Sequence, residues 1–87
     1  MKAIEIVSQE IQTAKEKYGP FNSTHELYGV LKEEFEEFFE IVKERPLQFE
    51  DEKDSAKSYR MIHELSQIAA VALRGIDELQ HNEIKWV

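Results

Sequence analysis

The chain has 87 residues and 10.3 kDa, which sets the scale of one small domain. It has no Cys, and its 18 acidic residues against 11 basic ones leave a formal charge of −7. Disulfide staples and thiolate metal sites are therefore excluded, and so acidic a surface would repel nucleic-acid phosphates rather than neutralise them.

Three Gly and two Pro offer little turn chemistry for an all-β fold. No apolar run approaches the roughly 20 residues of a membrane span. Met1-Lys2-Ala3-Ile4-Glu5 has no apolar core of signal-peptide type. These features set the expectation of a soluble, cytoplasmic, single helical domain spanning residues 1–87.

In chain order, Ile4, Val7, Ile11, Ala14 and Tyr18 recur at three- and four-residue steps, predicting an amphipathic helix over about Lys2–Tyr18. Gly19-Pro20 ends it, because Pro has no N–H with which to continue the ladder. Ser23-Thr24-His25-Glu26 reads as a capping box that opens a second helix running to about Arg45, ahead of Pro46. A third helix is predicted from about Asp51–Ser55 to Gln80. Met61, Ile62, Leu65, Ile68, Ala69, Ala72, Leu73, Ile76 and Leu79 form its apolar face, and the pattern runs straight through Gly75. The tail holds Trp86, which suggests packing.

The expected fold is thus all-α, a three-helix antiparallel bundle with two long helices. A third helix of about 26 residues would measure about 39 Å. That is more than a three-helix globule of this size needs, so a homo-oligomer, dimer or tetramer, is expected to bury the excess apolar surface.

Between Glu33 and Glu40, five of eight residues are Glu. Helical phase separates them. Leu27, Val30, Leu31, Phe35, Phe38, Ile41 and Val42 define one apolar sector; Glu34 falls inside it and Glu37 at its edge. Glu33, Glu36 and Glu40 point to the solvent side. A carboxylate entering a core needs a cationic partner, a raised pKa or a bound metal ion. Arg60 is the best-placed cation, with Arg74 behind it. A hard divalent cation held by oxygens accounts for two such acids more economically. Glu64 and Gln67, one turn apart on the flank of the third helix, would close an oxygen-lined site across the seam.

At this point the residues resemble a family. Glu33-Glu34-x-x-Glu37, followed some thirty residues later by Glu64-x-x-Gln67, looks like the paired helical motifs of the MazG-like, all-α nucleoside triphosphate pyrophosphohydrolases. The stretches 17–26 and 67–72 are similar to small, phage-type members, and the resemblance covers about Tyr18 to Ile76. It implies Mg²⁺-dependent hydrolysis of a nucleoside triphosphate to monophosphate and pyrophosphate. Glu34, Glu37 and Glu64 then correspond to metal ligands, with Glu33 as a possible outer-shell substitute. Gln67 stands where the family pattern has Asp, and an amide adds no charge and accepts no proton as a base.

Lys53, Lys57 and Arg60 stand near the start of the third helix, where they could meet a triphosphate, or could simply balance the neighbouring acids. The resemblance also places His25 near the nucleotide. Tyr18, Phe21 and Tyr28 could stack a base or pack as core. Glu78-x-x-His81 matches half of a di-iron motif, which needs a second copy that the chain lacks. The alternative to an enzyme is a catalytically weak or inactive helical module serving in nucleotide binding or assembly.

Overall fold

The computed structural model describes residues 2–44 and 51–84, with side chains from Ala56 onward in the last helix. It contains three helices, α1 (Lys2–Lys17), α2 (Thr24–Lys43) and α3 (Asp51–Gln80), and no strand among the described residues. The expectations for Pro46 and Trp86 lie outside these residues, and that for Lys53 concerns a side chain outside the described ones. No described helix is long and apolar enough to cross a membrane.

Local chemistry sets the helix ends. Ser23 is the N-cap of α2, its Oγ accepting from the Glu26 amide at 3.1 Å. The Glu26 carboxylate reaches back one residue further than a simple capping box requires, accepting from the Asn22 backbone N–H at 2.8 Å. Helix α3 closes on a turn that the sequence did not announce. Asn82 adopts a left-handed φ of 55°, the Glu83 amide donates to Glu78 O at 2.8 Å, and the Asn82 amide donates to Leu79 O. This Schellman-type ending folds the chain back so that Ile84 becomes buried.

Helix α3 is the central element, and both other helices pack on it. Leu27 lies against Gly75, while Glu34 and Glu44 lie near Glu64 and Arg60, so α2 runs antiparallel to α3. Glu10 bonds Gln67 and Lys15 pairs with Asp77, so α1 runs parallel to it. Among the described residues α1 and α2 do not pack against each other. A cleft of about 760 Å³ opens between them, floored by α3.

The core sits at one end, where Phe21, Val71 and Ile84 are buried and Leu27, Val30, Leu31 and Leu79 pack against them. Arg74 and Glu78 lock this end, at 6% and 4% exposed. The Glu78 carboxylate accepts from the Phe21 amide at 2.8 Å. Arg74 lies 3.6 Å from Glu78, donates to Gly19 O, and stacks on the Phe21 ring at 4.3 Å. Glu78 is therefore a latch for the 18–23 connection, and the half di-iron reading is set aside.

Much of the apolar face of α3 stays outside the core of the single chain. Ile62, Leu65, Leu73 and Ile76 are exposed, whereas Ser66, Ala70, Val71, Arg74, Gly75 and Glu78 are buried. On α2 the sector divides similarly, with Ile41 buried and Phe35 and Val42 exposed, and Phe39, outside the sector, is exposed as well. The small residues Ala70 and Gly75 allow close approach; a Cβ at Gly75 would stand 2.9 Å from Leu27 Cδ2. The radius of gyration is 15.2 Å, against about 12 Å for a compact domain of this length.

Candidate metal centre

Midway along the α2–α3 seam, Glu34 and Glu37 from α2 meet Glu64 from α3. One carboxylate oxygen from each lies within 4.8 Å of the other two. Oxygens bound to one Mg²⁺ or Ca²⁺ stand at most about 4–5 Å apart, twice the metal–oxygen distance. The spacing fits a single cation. Helical periodicity creates the arrangement: Glu34 is one turn beyond Leu31 and one before Phe38, so the phase that seats those half-buried side chains turns Glu34 inward as well.

The electrostatics at this point are unfavourable for three anions. Burial first, then the approach of Glu64, then the charge of Glu37 push the Glu34 carboxyl up to about 7. Partial loss of water and the charge of Glu64 raise Glu37 as well. Glu34 Oε2 and Glu64 Oε2 are both buried without a donor. Two carboxylates can satisfy one another only when one carries a proton; as anions both oxygens stay orphaned. Oxygen-only donors, correct spacing and orphaned buried acceptors together fit a hard divalent cation.

The cations expected to serve this cluster are engaged elsewhere. Arg60 makes a two-pronged contact with Glu44 at 2.9 and 2.5 Å, which holds the Glu44 carboxyl below its usual range. Lys57 donates to Glu44 O at 2.9 Å, capping the end of α2. Arg74 belongs to Glu78. Arg60 does line a smaller hollow of about 400 Å³ with Glu37, His63 and Glu64, on the far side of the cluster. His25 is exposed and lines neither hollow; Tyr28 is exposed too. Tyr18 and Phe21 do line the main cleft, Phe21 through a ring already in the core. Glu33 is exposed beside the cluster, with Glu36 and Glu40 also in solvent.

Gln67 lines the main cleft together with Glu34. Its amide nitrogen donates to Glu10 Oε2 at 2.6 Å. Glu10 was not singled out by motif, although the signal was present. It stands three residues after Val7 and four before Ala14, in the same phase relation to the α1 stripe that Glu34 has to α2.

A second gathering, Asp77, His81 and Glu83, also falls within 4.8 Å. It is largely exposed, and Asp77 is already paired with Lys15 and His81, so ordinary surface ion pairing accounts for it. No family model, curated protein or solved structure matches this chain.

Proposed function

We propose that the chain is a Mg²⁺-dependent nucleoside triphosphate pyrophosphohydrolase of the MazG-like type, acting as a homo-oligomer. The observation that carries this reading is the pair of buried, donorless carboxylate oxygens on Glu34 and Glu64. Beside Glu37, they form an oxygen site between two hollows: Glu34 lines the cleft of about 760 Å³, and Glu37 and Glu64 line the hollow of about 400 Å³. Both volumes lie within the range usual for small-ligand sites. The sequence resemblance supplies the reaction class.

Mg²⁺, when bound, would neutralise phosphate charge and polarise the phosphorus under attack. Glu34, Glu37 and Glu64 would hold it, and without it a chain of charge −7 would repel a polyanionic substrate. In the reaction, water oxygen bonds to the α-phosphorus as the bond from that phosphorus to the bridging oxygen breaks, and pyrophosphate leaves with that oxygen. The water proton passes to a carboxylate, and Glu37, the most exposed of the three, is the acid freest to take it.

The exposed apolar faces of α2 and α3 support the oligomer. Phe35, Phe39, Ile62, Leu65 and Ile76 each keep about half of their surface in solvent, and a second copy would cover them.

Isotope placement tests the reaction. In H₂¹⁸O with Mg²⁺, the label should appear in the nucleoside monophosphate and not in pyrophosphate. Label in pyrophosphate, or release of orthophosphate and diphosphate, would contradict attack at the α-phosphorus. The alternative, a binding or assembly module without turnover, draws on Arg60 and Lys57 being engaged by Glu44 and Gln67 by Glu10. It predicts nucleotide binding with no products.

A further inference from the structure

We infer that Glu10 of α1 is a positioning residue of the cation site, orienting the Gln67 amide next to Glu64 and adding negative charge at the mouth of the cleft. This rests on the pyrophosphohydrolase reading and concerns the composition of the same site.

Gln67 stands one turn beyond Glu64 on α3, so it borders the three-carboxylate cluster. A carboxylate only accepts hydrogen bonds, so the group Gln67 turns toward Glu10 is its NH₂, as the 2.6 Å contact shows. The amide carbonyl is then the end left over for another partner. Glu10 and Gln67 line one cleft with Glu34. Glu10 is half-buried, and no Lys, Arg or His pairs with it among the described residues. A half-buried anion with one neutral donor has its charge uncompensated.

An acid on α3 with a neutral partner on α1, and an amide on α3 with an acid on α1, place the same net charge beside Glu64. In this chain the second arrangement holds. Glu10 lies outside the 4.8 Å group, so it acts at longer range, orienting the Gln67 amide and adding negative charge at the mouth of the site. It is a positioning residue. It also makes α1, which among the described residues packs on α3 and not on α2, part of the site rather than a buttress.

The test uses the full chain, with Mn²⁺ titrated calorimetrically as the probe and unfolding followed in the metal-free state. Four proteins are compared: wild type, Glu10→Gln, Glu34→Gln and the exchange Glu10→Gln/Gln67→Glu. Glu10→Gln keeps an acceptor for the Gln67 amide while removing the charge. It should weaken Mn²⁺ about 10-fold or more, the scale seen when residues behind metal ligands are changed. The exchange, which places the acid on α3 instead, should recover most of the affinity that Glu10→Gln loses.

If Glu10→Gln lowers metal-free stability but binds Mn²⁺ as wild type does, Glu10 merely docks α1 and the inference falls. If Glu10→Gln weakens binding and the exchange does not recover it, the relocated-charge argument falls. If wild type and Glu34→Gln bind Mn²⁺ equally well, or neither binds, the metal reading itself fails and takes this one with it.

Discussion

Glu34 on α2 and Glu64 on α3 face one another across a helix seam, each burying one carboxylate oxygen that no donor reaches. A fold selected for stability alone would put an apolar pair or an ion pair there. Arg60, within the same stretch of α3, instead turns to Glu44, and Arg74 turns to Glu78. The mutual repulsion at the seam is the strongest sign that something cationic belongs between the two helices.

Replacing one of these acids by its amide should therefore stabilise the metal-free chain. Glu34→Gln keeps the shape and removes a charge that Glu37 and Glu64 oppose. The expected gain is on the order of 1–2 kcal/mol at pH 8, after allowance for solvent screening. Denaturant unfolding in a chelator checks it. Unchanged or lower stability would mean the seam carries no net repulsion.

The pH dependence has a definite direction. The folded-state value for Glu34 is raised from 4.5 to about 7, so the folded chain holds a proton that the unfolded chain releases. Its contribution to stability is complete below pH 4.5 and is lost as pH rises through about 7. Glu37 is shifted the same way and adds to the slope. Stability of the metal-free protein should fall as pH rises from 4.5 to about 7. Saturating Mg²⁺ should flatten that fall, as followed by unfolding at a series of pH values.

Glu78 has a role that its position in an Asp-Glu-Leu stretch does not reveal. Glu78→Ala removes the acceptor of the buried Phe21 amide and leaves Arg74 buried without its counter-charge. The loss should be about 3–5 kcal/mol, the cost of breaking one side of a buried pair. An isolated Lys15→Ala, which breaks only the exposed 3.6 Å pair with Asp77, should cost less than about 1 kcal/mol. Comparable losses would show that the latch is not what holds the 18–23 connection.

The outward apolar faces predict concentration-dependent assembly. Leu65→Glu or Phe39→Glu, each placing a charge on an exposed apolar site, should drive the protein to monomer in sedimentation equilibrium. Neither removes a core contact of the single chain, so helicity should persist. A wild-type protein that stays monomeric at about 100 μM would contradict the assembly reading, since a stable interface dissociates in the micromolar range or below.

Which parts were legible follows from the range of the forces involved. Helix ends are local, so Ser23 and Glu26 marked the start of α2, and the phase of Leu31 and Phe38 carried Glu34 inward. The inner face of α3 was not legible. Its buried residues include Ser66, Ala70, Arg74, Gly75 and Glu78, and their burial depends on partners such as Gly19 O and the Phe21 amide. The apolar stripe through Ile62, Leu65 and Ile76 is stronger in the sequence, yet it faces outward. The link from Glu10 to Gln67 spans 57 positions, and no local pattern encodes it. Arg60 was drawn toward the site by its phase, but the end of α2 placed Glu44 closer.

The most direct test is pyrophosphate release from a panel of standard and modified nucleoside triphosphates, run with Mg²⁺ and with chelator, on wild type and Glu34→Gln in parallel. The account predicts Mg²⁺-dependent release of pyrophosphate and monophosphate by wild type for at least one nucleotide. Activity should fall by about 10²-fold or more in Glu34→Gln, on the scale of losing a group that stabilises the transition state. No turnover of any nucleotide, together with a Glu34→Gln chain that is more stable and unaltered in cation binding, would contradict it.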